Sequence, residues 1–383
     1  MKYLINIPHI SSLESKYVKD VLKEGWLSIN GKNTKIFEKK FSNYIGVKHT
    51  LAVQSGTAAL HVALKALDIN MNDKVIIPNY TCVSNISVLS QLNAIPIIVE
   101  VEKNSFGLSK NKLIETIKKY KPKALQLVHA YGFPARDTLE IIKICRKYNV
   151  KVIEDASESL GGEIDGKKVG AFGDINIFSI RSEKMIGVGE GGVISTNNSK
   201  LYEKVKLIAS RHAPFRTSKD PYWKKYFVSG EGYNYLMPHL LGAVARAQIE
   251  KFEKIILHNK KKIGLLYREI FDNNKNYYIP QKEDSKIKSA YWLNAIYFNK
   301  LNKNQVRILG NELIKKKIEV RSGFWPLANM KCFKSIKPFK KSISNELFEK
   351  LLVLPSNINI KKKDILYFKK TIDNLLITIK KNK

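Results

Sequence analysis

The stretch Phe178-Ser-Ile-Arg-Ser-Glu-Lys-Met-Ile-Gly-Val-Gly-Glu-Gly-Gly192 decides which fold and which chemistry the chain can support. It begins inside an apolar run, Ile175 to Ile180, which predicts a buried strand. A polar turn then places one lysine, Lys184, ahead of a loop with four glycines, and glycine lets a backbone bend and lie close to a ligand. A desolvated, neutral Lys184 amine can attack a carbonyl and form a Schiff base. Taken alone, however, Lys184 is better explained as an ordinary surface lysine.

The composition is that of a globular protein with an unusual net charge. The 383 residues suffice for a large core and predict two domains. The chain carries 67 basic and 34 acidic side chains, and its net charge of +33 is compatible with nucleic acid, a membrane surface or an anionic substrate. Because the lysines are scattered rather than gathered in one block, we expect no nucleic-acid or membrane partner. The same charge would attract a phosphate-bearing substrate.

Cysteine usage and hydropathy predict a cytoplasmic protein. Cys82, Cys145 and Cys332 are far apart and lack metal-ligand spacing, so we expect neither disulfides nor a metal site. The apolar run at the N-terminus is too short for a signal peptide. No apolar run approaches the ~20 residues that a membrane-spanning helix needs.

The first part of the chain alternates apolar strands with helices. This pattern predicts an α/β fold with a mostly parallel, seven-stranded sheet between helices, since only strands buried on both faces are apolar throughout. The predicted strands are Thr50 to Gln54, Lys74 to Pro78, Ala94 to Val101, Ala124 to His129, Val150 to Asp155, Ile175 to Ile180 and Gly192 to Ser195. The later part predicts a smaller α+β domain, and we place the boundary between residues 1–255 and 256–383.

Two upstream motifs also follow predicted strands, at the edge where open α/β sheets bind ligands. Ser55-Gly56-Thr57 precedes a helix, and its hydroxyls and free N–H groups suit an anion, although a plain helix N-cap would use the same residues. Asp155 ends a central strand, where a carboxylate suits a protonated pyridine nitrogen, although taken alone it is better explained as an N-cap or a surface acid. Together with Lys184 these motifs supply a phosphate cradle, an acid and an amine, which is the set that pyridoxal 5′-phosphate (PLP) requires.

The chain resembles the DegT-type family of PLP-dependent nucleotide-sugar aminotransferases, which have the aspartate aminotransferase fold (fold type I). The Gly-Glu-Gly-Gly form of the glycine loop looks most like the 4-aminotransferases that make perosamine or viosamine. The stretches that carry the resemblance span nearly the whole chain: Gly25-Trp-Leu-Ser-Ile-Asn-Gly31 with Phe37-Glu38, Ser55-Gly-Thr-Ala-Ala-Leu60, Val128-His-Ala-Tyr-Gly132, Glu154-Asp-Ala156, Gly173-Asp-Ile175, Phe178-Ser179, Lys184, Gly189-Glu-Gly-Gly192, Gly232-Tyr-Asn-Tyr235 and Leu354-Pro-Ser356.

The resemblance implies a role for each matching residue. Lys184 would bind the cofactor covalently and move the proton between cofactor and substrate carbons, with pyridoxamine phosphate as the intermediate form. Asp155 would pair with the pyridinium nitrogen, and Glu158 would be a partner of the ring hydroxyl. Asn234 would reach the neighbouring subunit's cofactor phosphate, which implies a homodimer with active sites at the subunit interface. The remaining implied positions are Gly56, Thr57 and Ser179 for the phosphate, Cys82 beside the cofactor ring, and Trp26, Ser28, Arg321 and Phe324 for the substrate.

Three positions depart from the family's usual pattern. Cys82 stands where the family usually has an aromatic residue stacked on the cofactor ring, and nearby Tyr80 is a candidate replacement. Leu236 stands where an arginine often follows the Tyr-Asn-Tyr motif, so Arg211 or Arg246 is a candidate for the amino donor's carboxylate or the sugar diphosphate. Ala328 replaces a histidine that the family often has near the C-terminus.

The resemblance implies transfer of an amino group from L-glutamate to carbon 4 of a nucleotide-linked 4-keto-6-deoxyhexose. The product would be a sugar of the GDP-perosamine or UDP/dTDP-viosamine type, used in surface glycans. Two alternatives remain open at this point. One is a 3-aminotransferase that acts on a 3-keto nucleotide sugar. The other is a non-catalytic binding or regulatory protein that kept the cofactor pocket.

Overall fold

A computed structural model describes residues 1–381, except 216–218, 273, 334–335, 337 and 340. The strands are β1 His49–Val53, β2 Lys74–Pro78, β3 Ile95–Val99, β4 Ala124–Val128, β5 Lys151–Asp155, β6 Glu163–Ile164, β7 Lys167–Lys168, β8 Ile175–Ser179, β9 Gly192–Thr196, β10 Ile287–Lys288, β11 Asn294–Tyr297, β12 Arg321–Ser322 and β13 Leu351–Leu354. The helices are α1 Ser12–Glu24, α2 Lys32–Ile45, α3 Gly56–Ala66, α4 Ser84–Gln91, α5 Lys110–Tyr120, α6 Thr138–Lys147, α7 Ser199–Ala209, α8 His239–Lys251, α9 His258–Phe271, α10 Lys303–Lys315, α11 Ile343–Lys350 and α12 Lys362–Lys381.

The main sheet has seven strands in the order β1-β9-β8-β5-β4-β2-β3. Strand β9 runs antiparallel to both of its neighbours, β1 and β8, whereas the pairs from β8 to β3 are parallel. The predicted α/β class, with a mostly parallel sheet of seven strands, is therefore confirmed. Each of these strands lies within a few residues of its predicted position.

Alternate residues of the sheet strands pack into different cores, as the two-residue period of a strand requires. In β5, Ile153 joins the core under α3, α4 and α7, while Val152 joins the core under α5 and α6. In β8, Ile177 joins the first of these cores, and Phe178 packs with residues of α2 and α8. Helices thus cover both faces of the sheet, which explains why its strands are apolar throughout.

The C-terminal part forms a second, smaller α+β unit. Its three-stranded antiparallel sheet has the order β11-β13-β12, and helices α9, α10 and α12 share its core. The N-terminal segment also joins this unit, because Tyr3 pairs with Ile318 and the backbone N–H of Ser356 donates to the Ile5 carbonyl. The boundary at residue 255 falls inside a π-helical segment, Phe252–Leu257, between α8 and α9, and it stays a prediction.

Several short elements lie outside the predicted pattern. A small sheet joins β6, β7 and β10, although each has only two residues, and β13 was not predicted as a strand. Two-residue strands carry too little periodicity to be distinguished from loops. Among the described residues, no helix has both the length and the apolar content needed to cross a membrane.

Strand β5 ends in two carboxylates that face opposite sides of the sheet. Glu154 is fully buried and accepts hydrogen bonds at 2.5–3.1 Å from the backbone N–H groups of Gly170, Phe172 and Gly173. His129 lies 3.1 Å from the same carboxylate, and its Nδ1 accepts from the Ala135 N–H, so its Nε2–H donates to Glu154. Glu154 therefore holds the loop before β8 against β5. Of the two carboxylates, Asp155 is the one available to bind a ligand.

Replacing Glu154 with glutamine should lower the free energy of unfolding by about 2–3 kcal/mol, because an amide NH₂ would then face buried backbone donors. Urea unfolding measures this change. Glu163→Gln is the matched control, since Glu163 forms a partly exposed ion pair with Lys168, and its loss should cost under about 1 kcal/mol. Equal losses in the two variants would contradict the structural role of Glu154.

Candidate active site

A cavity of about 610 Å³ opens where β1, β2, β4, β5 and β8 end. Nine of the predicted site residues line it: Gly56, Thr57, Cys82, Asp155, Glu158, Ser179, Lys184, Arg321 and Phe324. A larger cavity, about 1010 Å³, lies at the opposite edge of the sheet, next to the first residue of β5, and none of the predicted site residues line it. The carboxyl edge is therefore the candidate active site, as the general rule for open α/β sheets predicts.

Lys184 reaches this cavity from the loop after β8, and its amine is held on two sides. Nζ donates to Glu158 Oε1 at 3.0 Å and lies 4.0 Å from the centroid of the Trp292 ring. The side chain is only 13% exposed, whereas a surface lysine is mostly solvated. The backbone is tied down as well, because the indole N–H of Trp292 donates to the Glu183 carbonyl at 2.7 Å. The amine is thus fixed in one place rather than free to move.

Glu158 is a buried carboxylate whose charge depends on Lys184. Burial raises the pKa of the Glu158 carboxyl above its usual value. The Lys184 ammonium and the Tyr131 backbone N–H, which donates to Oε2 at 3.1 Å, act in the opposite direction. A buried carboxylate in direct contact with an ammonium is stabilised in its charged form by that contact.

Asp155 is held by neutral donors at the end of β5. One oxygen accepts from the Asn85 side-chain amide at 2.9 Å, and the other accepts from the Ser157 backbone N–H at 3.0 Å. The same Asn85 amide donates to Gln126 Oε1 at 2.7 Å, so the carboxylate is oriented by a fixed amide network. Asp155 lies 5% exposed on the cavity wall without a cationic partner among these contacts, which leaves it able to accept a cationic ligand group.

The turn after β1 forms a helix N-terminus that faces the cavity. Ser55 caps α3 by accepting from the Ala58 N–H at 3.0 Å, so the motif is an N-cap, and the same turn lines the cavity. Its predicted role in binding an anion stays a prediction. The Thr57 hydroxyl donates to Ser84 Oγ at 3.0 Å. A Cβ on Gly56 would lie 2.9 Å from the Ser179 Cβ, so glycine is needed for this close approach. The first N–H groups of α3 and these hydroxyls can hold a phosphate.

The glycines of the Lys184 loop serve close packing more than unusual backbone angles. Among the four, only Gly189 has a positive φ, at 101°. A Cβ on Gly192 would lie 2.3 Å from the Ser55 carbonyl oxygen, and one on Gly187 would lie 2.4 Å from the Ser182 carbonyl oxygen. The expectation that these glycines provide backbone freedom is thus correct for one of them. The close contact at Gly192 brings β9 against the turn that begins α3, and the one at Gly187 packs the loop against itself.

The walls of the cavity differ from the expected pattern at Cys82. The thiol lines the cavity, with its Sγ 3.6 Å from Ser84 Oγ. Tyr80 does not take its place, because Tyr80 is fully buried and its hydroxyl pairs with the Tyr131 hydroxyl at 3.1 Å. The aromatic lining includes Tyr131 and Phe324, whose rings are stacked with centroids 5.3 Å apart, together with Trp292 and Trp325.

Trp26, Ser28 and Asn234 do not line this cavity. Trp26 is 53% exposed, and its indole N–H donates to the Ile29 carbonyl at 2.9 Å. Asn234 is exposed in a segment that pairs with Ser210. An exposed Asn234 outside its own chain's cavity is compatible with a role in a neighbouring subunit, and the roles of all three residues stay predictions.

The cationic groups that line the cavity are Lys184, Arg181 and Arg321, of which Arg321 was among the predicted substrate residues. Arg246 is bound to Glu250 and Asn33, and neither it nor Arg211 lines the cavity. Arg321 Nη1 donates to Glu183 Oε2 at 2.9 Å, and Arg181 Nε donates to Glu190 Oε1 at 2.9 Å. Both arginines are partly exposed, so an anionic ligand can compete for them.

Sequence reasoning missed Asn85, Arg181 and Trp292. Arg181 lies inside the quoted stretch, three residues before Lys184, and its position at the end of β8 was a usable signal. Asn85 and Trp292 lie 99 and 108 residues away from Lys184 along the chain, and nothing in their local sequence marks them. The part of the chain that the structure describes has no group of three His, Cys, Asp or Glu side chains placed to hold a metal ion.

These residues fit PLP. The cavity unites a fixed amine, a carboxylate held by neutral donors, and a helix N-terminus with hydroxyls, which match the aldehyde, the ring nitrogen and the phosphate of that cofactor. We expect Lys184 to hold the aldehyde carbon, Asp155 the ring nitrogen, and Gly56, Thr57 and Ser179 the phosphate.

Comparisons with known proteins agree with this site. Residues 8–372 match the model of the DegT/DnrJ/EryC1/StrS aminotransferase family. The chain is 31% identical to a GDP-perosamine synthase of Escherichia coli O157:H7 over 374 residues, which cover 97% of this chain and 98% of that protein.

Solved structures share the fold over almost the whole chain. A putative sugar aminotransferase of Streptococcus pneumoniae in its PLP form has a TM-score of 0.88 at 20% identity, over 98% of this chain and 99% of that one. A variant GDP-4-keto-6-deoxymannose-3-dehydratase with bound GDP-perosamine has a TM-score of 0.86 at 22% identity, over 97% of this chain and 100% of that one. With the family model matching most of its length, the chain belongs to the DegT/DnrJ/EryC1/StrS aminotransferase family.

Proposed function

We propose that this PLP-dependent sugar aminotransferase moves the amino group of L-glutamate to carbon 4 of a nucleotide-linked 4-keto-6-deoxyhexose. The observation that carries the proposal is Lys184 Nζ, held between Glu158 and Trp292 in the same cavity as Asp155. The choice of sugar is supported by the 31% identity to a GDP-perosamine synthase. The product would be a 4-amino-4,6-dideoxyhexose of the kind used in surface glycans.

The chain's own residues supply the proton transfers and the binding. PLP, when bound, supplies an electron sink that makes a proton on the neighbouring substrate carbon acidic. Lys184 Nζ holds and moves that proton, and Glu158 Oε1, 3.0 Å away, stabilises the ammonium form between transfers. The stacked rings of Tyr131 and Phe324 shield one wall of the cavity from water. The proton transfer is base catalysis by an amine in a shielded site, so the rate of the transfer depends on the position of Lys184 Nζ.

The cavity's cations suit substrates that carry carboxylates or phosphates. Arg181 and Arg321 both line the cavity, and each can form paired hydrogen bonds with such groups. The net charge of +33 adds a long-range attraction for a nucleoside diphosphate. We assign the glutamate carboxylates and the sugar diphosphate to these two arginines, rather than to Arg211 or Arg246.

Lys184→Ala should abolish both the visible absorbance of the bound cofactor and turnover, with a loss of at least about 1,000-fold, because the covalent attachment point and the proton carrier disappear together. Absorbance spectra and a glutamate-dependent transamination assay measure the two effects. Lys112→Ala is the matched control, since Lys112 is an exposed lysine that forms a surface ion pair with Glu115, and it should behave like the wild type. Full turnover in Lys184→Ala would refute the assignment.

The site of amination can be read from the product. With ¹⁵N-labelled L-glutamate and a GDP-linked 4-keto-6-deoxyhexose, we expect the ¹⁵N atom on carbon 4 of the product sugar, as measured by NMR. A matched 3-keto nucleotide sugar should react at less than about one-hundredth of that rate, because a misplaced carbonyl lies away from the Lys184 amine. Nitrogen on carbon 3 would instead establish the 3-aminotransferase alternative.

We also propose a homodimer whose active sites lie at the subunit interface. The segment before Asn234 exposes large aromatic side chains, with Tyr222 81% and Tyr226 91% exposed, and such groups are typical of interfaces. Asn234 itself is exposed and lies outside its own chain's cavity, so it is free to contact a second copy.

Mixing Lys184→Ala with Asn234→Ala chains should restore roughly a quarter of wild-type activity, because half of the re-associated dimers would be hybrids with one intact site each. Each variant alone should be close to inactive. Mass spectrometry of intact dimers serves as the control that hybrids form. Inactive hybrids would show that Asn234 acts within its own subunit and contradict the proposed arrangement.

A further inference from the structure

Helix α9 carries a fully buried lysine that lies outside the cavity. Lys260 is 1% exposed, and its Nζ donates to three oxygens: Asn6 Oδ1 at 2.8 Å, the Trp292 carbonyl at 2.8 Å and the Ser356 carbonyl at 2.6 Å. Among the residues that the structure describes, no carboxylate forms an ion pair with it. A buried ammonium without a carboxylate is costly, so this arrangement calls for an explanation.

The three acceptors match the three N–H groups of an ammonium, whereas a neutral amine would turn its lone pair toward one of the oxygens. Burial lowers the pKa of Lys260 to about 7, and the three carbonyl oxygens oppose that effect because they interact best with the charged form. The acceptors come from three distant parts of the chain: the N-terminal segment, the residues before β11, and the residues after β13. Lys260 therefore joins three segments at one point.

Two of these acceptor residues also contact the Lys184 segment. The Asn6 amide donates to the Glu183 carbonyl at 2.8 Å and approaches the Lys184 carbonyl at 3.5 Å. Trp292 donates its indole N–H to the same Glu183 carbonyl at 2.7 Å and presents its ring to Lys184 Nζ at 4.0 Å. Lys260 is thus linked to the backbone around Lys184 through Asn6, and to the Lys184 amine through Trp292.

We propose that Lys260 is a positioning residue, which holds Asn6 and Trp292 in place and thereby fixes the Lys184 amine for the reaction. This inference rests on the proposed role of Lys184. Lys260 itself does not line the cavity, so it acts only through its two neighbours.

Lys251 offers a matched comparison. It is also a buried lysine, 6% exposed, and it lies at the end of α8 on the other side of the π-helical segment. Its Nζ pairs with Glu14 at 2.5 Å and with the His9 carbonyl at 2.7 Å, and neither residue contacts Lys184. Loss of Lys251 should therefore destabilise the fold without changing the Lys184 amine.

The test is the pH profile of Lys184 labelling in the full-length chain without cofactor, measured with acetic anhydride and mass spectrometry. In Lys260→Met the midpoint should fall by about half a pH unit, because a released Trp292 ring no longer favours the Lys184 ammonium. Loss of the Lys260 charge alone would raise the midpoint. Lys251→Met should leave it unchanged.

Trp292→Leu should lower the midpoint of Lys184 labelling by a similar amount. The double variant with Lys260→Met should show no further fall, since both changes remove the same contact between the Trp292 ring and the Lys184 amine. An unchanged or raised midpoint in Lys260→Met, or full additivity in the double variant, would overturn the proposal. If Lys260→Met does not fold, Asn6→Ala decides in its place. Asn6 is only partly buried, so Asn6→Ala should fold. An unchanged labelling midpoint in Asn6→Ala would also overturn the proposal.

Borohydride reduction in the presence of PLP separates this inference from the proposed function. The wild type should retain one cofactor on Lys184 after reduction, and Lys260→Met should retain at least about threefold less at a limiting PLP concentration. If the wild type retains none on Lys184, the proposed function fails. If the wild type and Lys260→Met retain the cofactor equally at every PLP concentration and have the same labelling midpoint, only the positioning role of Lys260 fails.

Discussion

The contact between Lys184 Nζ and Glu158 Oε1, at 3.0 Å, is the interaction on which the rest of the site depends. Both side chains are largely buried, and a buried charge without a partner would cost several kcal/mol. Glu158 follows β5 and Lys184 follows β8, so the pair can form only because these two strands are parallel neighbours in the sheet. The sheet order thus has a direct chemical consequence: it brings an acid and an amine 26 residues apart to one edge.

Around this pair, the protein uses neutral groups to orient charged ones. Asp155 is held by the Asn85 amide and a backbone N–H, and Lys184 is flanked by the Trp292 ring. Neutral partners fix the direction of a side chain while leaving its charge available for a ligand, which a second salt bridge would not do. The same principle extends outward to Lys260, whose three acceptors are all uncharged oxygens.

Much of the architecture could be predicted, because long apolar strands and amphipathic helices carry strong periodic signals. The strands of the main sheet and the convergence of Gly56, Thr57, Asp155, Glu158 and Lys184 at one edge follow from that pattern and from the family resemblance. The division of labour between Glu154 and Asp155 was not predictable from composition, since the two are chemically alike and adjacent. Their opposite directions follow from the two-residue period of β5 once the loop before β8 packs against one face.

The sequence by itself determined the fold class, the order of the motifs and the identity of the amine. These depend on local hydrophobic pattern and on residue types whose chemistry few other side chains can supply. Only the tertiary structure decided which aromatic rings line the cavity, that Arg181 lines it while Arg211 and Arg246 do not, and that Asn6, Lys260 and Trp292 meet behind Lys184. Those contacts join residues up to 254 positions apart in the chain. Such pairings arise from how the two packed units are brought together, and local sequence carries no record of that arrangement.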